Sequence, residues 1–300
     1  MQTTNCRMEI RGRSMEQIKL RRVYNTTAYR YPRERLILAL TLILVFLVIA
    51  LTATATVCLS ALFILITVML SYAHNRAHHQ SLLAQAQRVT PQATPRLATL
   101  VAETTARLQA GPVQTFVVPS KTLNAYTFGL SSPQVVVLNA PLLHMMDEDE
   151  MRFILGHELG HVRLGHTWLN SLIGGMAGIP SPLGASAILA MAFLWWNRAC
   201  EYSADRAGLL ACGNPHKAIS TMVKLAAGPE ARTRSDLQRA LQYIEAEDDH
   251  VLNNLGEALA THPMAIRRIE ELQRYAASSE YRRLQQLVDR NVAPAGSNPW

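Results

Sequence analysis

Phe153-Ile154-Leu155-Gly156-His157-Glu158-Leu159-Gly160-His161 is the stretch on which the fold of this chain turns. Asp147 stands upstream with Glu150 three residues on, the spacing of a capping box. Apolar residues then recur at Met151, Phe153, Ile154, Leu155, Leu159, Val162 and Leu164. That pattern predicts a helix from Asp147 to Leu164. On a helix, His157 and His161 are spaced i, i+4 and share a face, so both imidazoles can bind one ion. Glu158 lies about 100° further round the helix, within reach of water at that ion without being a ligand. Taken alone, the same five residues also suit a helix whose histidines pack or face solvent.

A second segment narrows the choice. Glu201-Tyr202-Ser203-Ala204-Asp205 follows a run without charge, and 39 residues separate His161 from Glu201. Catalytic zinc takes three protein ligands and leaves one position for water. Glu201 can complete a His₂Glu set for one ion per chain. Asp205, one turn on, can accept the other ring N–H of a liganding histidine, most simply His157. An acidic pair at this spacing is usually a solvated face. Here it sits inside Cys200–Ala211, between apolar residues, which favours burial. Zinc suits the set best, and other divalent ions accept the same ligands.

Upstream, Leu36 to Leu70 is 35 residues with no charge, proline or glycine. As one helix it would be about 52 Å long at 1.5 Å per residue, against a hydrocarbon core of about 30 Å. Leu51–Thr56 (LTATAT) is its least apolar part. The run is therefore expected to form a helical hairpin, roughly 36–51 and 56–71; the alternative is one tilted span followed by a buried helix. Arg30, Arg33 and Arg35 precede it and Arg76 and Arg88 follow, so the positive-inside rule places both flanks in the cytoplasm. Tyr24, Tyr29 and Tyr31 are placed as interfacial anchors. A secretory signal fits poorly, because its basic region would be 35 residues long and carry acids. Residues 1–35 hold nine Lys/Arg against three Asp/Glu, +6, while the other 265 hold 20 against 19, +1. The pI of about 9.5 is thus a property of this tail. It reads as a basic cytoplasmic arm near anionic lipid, not as a nucleic-acid-binding surface.

His74 and His78 come next at i, i+4, with no third ligand nearby, and read as an interfacial helix face. Residues 80–110 read as a polar helix broken near Pro91 and Pro95. Val113–Val118, Leu123–Gly129 and Gln134–Asn139 read as short strands, the last two joined by a Ser-Ser-Pro turn. From Leu164 to Asn197 there is again no Lys, Arg, Asp or Glu, and glycines and prolines between Gly174 and Gly184 interrupt the run. Its arms, about 168–178 and 183–196, are short for a span and are expected to touch the bilayer surface, with helix resuming over Arg198–Cys212. Cys6, Cys58, Cys200 and Cys212 form no CxxC pair and ask for no disulfide framework. Charged residues are 17% of the 300 and hydrophobic ones 49%, which excludes a disordered chain and favours one with a membrane part. The expected fold class is mainly α with a small β-sheet (α+β). Its parts are a basic segment 1–35, a transmembrane hairpin 36–71, a metallopeptidase domain 72–290 and a flexible tail 291–300.

In this order, these pieces resemble the HtpX-type membrane zinc metallopeptidases, relatives of the type I CAAX prenyl proteases. The resemblance rests on the apolar hairpin, Asn124-Ala125-Tyr126, Phe153–His161, Glu201-Tyr202-Ser203-Ala204-Asp205-Arg206, and Thr261-His262-Pro263 with Arg268-Ile269 beyond. It covers about residues 36–275. It implies a zincin-type fold of the gluzincin kind, with His157, His161 and Glu201 on zinc and Glu158 as general base. It also brings His262 and Arg268 to the site from the C-terminal part, as candidate donors to an oxyanion. By composition alone, His262 reads as a turn residue before proline and Arg268 as a surface arginine. Asn124, Ala125 and Tyr126 would lie on a strand able to bind an extended substrate; the family strand often has Phe where this chain has Tyr126. The short stretch between His161 and Glu201 leaves little room for two more complete spans.

The implied activity is endopeptidase hydrolysis of unfolded or surplus membrane proteins. The implied place is the cell membrane, multi-pass in a bacterial inner membrane, with the catalytic domain cytoplasmic. Peptide and protein substrates and the lipid bilayer are the implied partners, and nucleic acid is not. Two other readings stand beside it. A dedicated processing peptidase of CAAX type would need more apolar spans. A non-catalytic membrane scaffold with a structural metal site would need a fourth ligand, for which Cys200 is the obvious nearby thiol.

Overall fold

The computed structural model describes residues 28–55, 59–130, 132–173, 184–227 and 263–292. Tyr24 and most of the basic arm, the end of the expected hairpin turn, the interruption at 174–183, His262 and the tail beyond 292 lie outside the described residues. Helices dominate, with one small mixed sheet.

Two long helices open the chain, α1 (Glu34–Ala55) and α2 (Leu59–Ala84), and they pack against each other. Among the described residues, one helix is long and apolar enough to cross a membrane, Glu34–Leu51 within α1. Leu40, Ile43, Phe46 and Leu51 on it are exposed. His74 and His78 lie within α2, and their side chains are outside what is described.

The sheet comprises β1 (Gln87–Arg88), β2 (Val113–Val118), β3 (Ala125–Phe128) and β4 (Gln134–Asn139), in the order β1-β2-β4-β3. The strand β4 runs parallel to β2 and antiparallel to β3, with Ala125 opposite Leu138 and Phe128 opposite Val135. Val136, Val137 and Leu138 are all buried, as a continuous apolar run in a central strand requires. β3 is shorter than the predicted Leu123–Gly129, and Gly129 just beyond it takes φ 126°, which ends the strand.

α3 (Pro95–Leu108) and a short α4 (Leu142–Met145) flank the sheet and lead to α5 (Glu148–Leu164). The capping box is formed at its start. Asp147 Oδ1 accepts from the Glu150 amide at 2.9 Å, and Glu150 Oε2 accepts from the Asp147 amide at 2.9 Å. At the other end Gly165 takes φ 81° and its amide bonds to the carbonyls of His161 and Val162, a left-handed stop that glycine adopts without steric cost. The chain restarts at once as α6 (His166–Ile173).

α7 (Gly184–Cys212) departs from the sequence reading. The second apolar arm and the segment carrying Glu201 were expected as separate pieces and form one rod. No proline or glycine lies between Gly184 and Gly208 to break it. α8 (Pro215–Ala227), α9 (Pro263–Ala276) and α10 (Ser279–Val292) complete the fold.

α5 and α7 make the most extensive helix pair. Gly156 and Gly160 of α5 meet Ala204, Ala207, Gly208 and Ala211 of α7, so the two backbones approach closely. Phe153, Leu159, Leu209, Leu210, Ile269 and Leu272 fill the main core around that crossing. Val136, Leu138, Leu142, Ile154 and Leu155 form a second cluster between sheet and α5. Tyr29 corrects a further expectation. It is no lipid anchor but fully buried in the main core. Tyr31 likewise docks inward, its amide donating to Ser203 Oγ at 2.8 Å and its ring 4.9 Å from Tyr202. Burying the Tyr29 ring removes its apolar area from water within the protein itself.

Candidate metal centre

The crossing of α5 and α7 brings together three of the residues singled out from sequence. His157 Nε2 and His161 Nε2 are 3.2 Å apart. His157 Nε2 lies 3.5 Å from Glu201 Oε2, and His161 Nε2 lies 3.4 Å from Glu201 Oε1. Ligand atoms about 2.0–2.1 Å from a tetrahedral zinc ion would be about 3.3–3.4 Å apart. The three observed separations match that edge length.

The proton positions point the same way. His157 Nδ1 lies 3.0 Å from Asp205 Oδ1, and His161 Nδ1 lies 3.0 Å from His166 Nδ1. Asp205 accepts an Nδ1 proton from His157, and the tautomer of His161 that donates from Nδ1 to His166 likewise leaves its Nε2 lone pair facing His157 and the Glu201 carboxylate. Two lone pairs and an anion converging on one point are stabilised by a cation between them. The residues present therefore fit a divalent ion with a His₂Glu ligand set.

Arg268, on α9, reaches the same place. Its Nε donates to Asp205 Oδ2 at 2.8 Å, its Nη2 to Asp205 Oδ1 at 2.6 Å, and its Nη1 pairs with Glu201 Oε2 at 2.9 Å. Burial would raise the pKa of Asp205, but the Arg268 charge and the hydrogen bonds from Arg268 and His157 hold it below the usual range. Glu201 is held well below it too: burial opposes, and the Arg268 charge prevails. Both carboxylates are thus anionic at neutral pH.

Glu158 differs. It is 6% exposed, and its pKa is pushed up to about 7, chiefly by burial, while a bond from the Thr127 side chain opposes the rise. Glu158 thus stands apart from the two ionised carboxylates beside it.

His157, Glu158, His161, Glu201 and Arg268 line one cavity of about 430 Å³, roofed by residues 123–127 of the β3 region. Asn124, Ala125 and Tyr126 all face it. β3 is an edge of the sheet as described. His262 lies outside the described residues, directly before α9.

Sequence reasoning missed Thr127, His166 and Glu34. Thr127 lies one position past the quoted Asn124-Ala125-Tyr126, and strand alternation alone does not say which face meets α5. His166 Nε2 lies 3.1 Å from Glu34 Oε1 of α1, across 132 residues. A histidine five residues beyond HExxH was a readable signal; its carboxylate partner was not. Cys200, weighed as a fourth ligand, sits instead with Glu34 and His166 in a separate buried cluster.

Residues 91–276 match the sequence profile of Peptidase family M48. A plastoglobule-localized metallopeptidase 48 from Arabidopsis thaliana is 28% identical over 182 residues, covering 56% of this chain and 53% of that protein. Protease HtpX homologs from Desulfatibacillum aliphaticivorans and Methanopyrus kandleri are 26% identical over 190 residues and 29% over 191. Those alignments span 52% and 51% of this chain, and 61% and 56% of the relatives. The chain therefore spans little more than half the length of the relatives it matches. No solved structure matches it significantly. The HtpX-like resemblance drawn from the motifs is upheld: with its profile match reaching from just after β1 to the end of α9, the chain belongs to peptidase family M48.

Proposed function

We propose that the chain is a membrane-anchored zinc endopeptidase, with one ion held by His157, His161 and Glu201. The observation that carries the reading is the convergence of both histidine Nε2 atoms on the Glu201 carboxylate, with 3.2 Å between the two nitrogens and 3.5 and 3.4 Å from them to Glu201 Oε2 and Oε1, and Glu158 buried beside them. Zinc held by these three residues would supply a water of lowered pKa, toward about 7, and a Lewis acid for a scissile carbonyl. Glu158 takes the proton of the attacking water and returns it to the leaving amine. Its raised pKa suits both halves of that transfer. Thr127 fixes the orientation of its carboxyl. Asn124, Ala125 and Tyr126 present a strand edge along which an extended peptide adds as a further strand, giving affinity through backbone hydrogen bonds and a loose sequence preference. His262 supplies a donor to the oxyanion. Arg268 lines the cavity, but its nitrogens are committed to Asp205 and Glu201. It acts by holding those two carboxylates.

The scaffold reading loses support from Cys200, which faces the Glu34 side and supplies no fourth ligand to the centre. Unfolded or surplus membrane proteins are the proposed substrates, reached from the cytoplasmic face. α1 and α2 form the anchor. α6 and α7 carry exposed Trp168, Leu194 and Trp195, while Phe193 and Trp196 pack against Ile37, Leu38 and Val45 of α1. The exposure of Trp168 and Trp195 beside the anchor supports a position for them at the bilayer surface, where amphipathic rings are favoured.

Detergent-purified protein is expected to carry about one zinc per chain and to cleave an unfolded model substrate. A chelator should abolish cleavage and added zinc should restore it; metal-free protein with full activity rejects the reading. Asp205→Ala is expected to weaken zinc affinity about 10–100-fold, measured by chelator competition, and unchanged affinity would remove Asp205 from the centre. For the topology, a reporter fused after residue 90 is expected to be active only in its cytoplasmic form, and activity outside the cytoplasm would overturn the hairpin.

A further inference from the structure

The buried cluster behind the metal centre joins the membrane helix to a metal ligand. His161 Nδ1 faces His166 Nδ1 at 3.0 Å, and His166 Nε2 faces Glu34 Oε1 at 3.1 Å. Glu34 also pairs with Arg30 and accepts from Ser203 Oγ on α7. Arg30 in turn donates to the Leu164 carbonyl at the end of α5, at 3.0 Å. Glu34 and His166 are each 1% exposed. The left-handed turn at Gly165 places His166 back against His161 directly after α5 ends.

The tautomers follow from one another. If His161 lends its Nε2 lone pair to a metal, its proton sits on Nδ1. His166 Nδ1 must then accept that proton's hydrogen bond, so the His166 proton sits on Nε2. That N–H points at Glu34. The carboxylate at the far end therefore determines the orientation and tautomer of a metal ligand two links away. Glu34, His166 and Cys200 also have the composition of a second metal site. The carboxylate, however, is already engaged by Arg30, Ser203 and His166, and the Arg30 cation occupies the charge position that an ion would need.

We infer that Glu34 and His166 are positioning residues that hold His161 for metal binding, so that α1 completes the metal centre as well as anchoring the chain. This inference rests on the metal reading above. Each liganding histidine then has its own carboxylate, Asp205 directly for His157 and Glu34 through His166 for His161.

The test measures zinc affinity by chelator competition and the visible absorption bands of the cobalt-substituted protein, in wild type and in variants. Glu34→Leu and His166→Leu are each expected to weaken zinc binding about 10–100-fold and to shift the cobalt bands. Glu34→Gln, which keeps an acceptor oxygen for His166, should lose less than Glu34→Leu. A role in packing alone would not rank glutamine above the apolar leucine. Because the two residues act in series, the double leucine variant should lose no more than His166→Leu alone. Equal affinity in wild type and both leucine variants, or additive losses in the double variant, overturns the relay and leaves the metal centre standing. A wild type that binds no zinc overturns both. Where a leucine variant does not fold, Glu34→Met and His166→Phe, which keep bulk and remove the polar atoms, decide by the same measurements: a loss with shifted bands supports the relay, and unchanged affinity in both overturns it.

Discussion

Glu158→Gln is expected to leave zinc bound and to lower turnover about 10²–10⁴-fold. The substitution keeps size and shape, and Glu158 contributes none of the three ligand atoms, which come from His157, His161 and Glu201. What disappears is a carboxylate able to hold a proton between attack and departure. The environment of Glu158 is built for that task, because burial raises its pKa to about 7, where uptake and release of a proton are both feasible at neutral pH. Glutamine can still accept the hydrogen bond from Thr127, so folding and zinc content should match wild type. Single-turnover cleavage of an unfolded substrate, with zinc measured on the same samples, separates the cases. Normal zinc with lost turnover places Glu158 at the proton transfer. Lost zinc would mean that the carboxylate supports the ligands instead. Normal turnover would remove it from the chemistry.

Much of the site could be read from sequence because its signals are local. His157 and His161 are one helical turn apart, as are Glu201 and Asp205, and a capping box marks the start of α5. Periodicity of 3.6 or 2 tells which residues share a face. It does not tell which faces of different elements meet. The pairing of Arg268 with Asp205 joins α9 to α7, and that of Glu34 with His166 joins residues 132 apart. Neither leaves a trace in local spacing. Tyr29 was misread for a related reason: beside Arg30 and ahead of an apolar run it has the pattern of an interfacial ring, and only the tertiary arrangement shows it inside the core. α7 unites an apolar arm and a charged segment that the sequence reading separates at Arg198, where charge resumes. Charge marks the environment of a helix, whereas proline and glycine mark its ends.

Gly160→Ala is expected to damage the centre strongly from outside its ligand set. A Cβ at Gly160 would lie 2.7 Å from Ala207 Cβ and 3.3 Å from Ala204 Cα. The first distance is far inside van der Waals contact, so α5 and α7 must move apart. Overpacking of this kind costs about 1–3 kcal/mol. The consequence for the metal is larger, because the histidines sit on α5 and Glu201 on α7. A misplacement of about 1 Å can cost 10²-fold in rate, and the same separation of helices stretches ligand distances that now match a tetrahedral edge. Zinc affinity and turnover should fall together, unlike the outcome for Glu158→Gln. The compensating change is specific. Ala207→Gly on top of Gly160→Ala transfers the methyl from one helix to the other and should restore most of the zinc affinity, although glycine within α7 costs about 1 kcal/mol of helix stability. Gly156→Ala offers the contrast. Its Cβ would overlap Ala211 Cβ but would also meet Gly208 Cα at 3.0 Å and the Ala207 carbonyl at 3.1 Å. Those are backbone atoms, so Ala211→Gly should not rescue it. Zinc affinity measured across the four variants tests whether the close approach of α5 and α7 sets the geometry of the centre. Wild-type affinity in Gly160→Ala would show that the centre tolerates the separation, and the glycines would then be explained by packing alone.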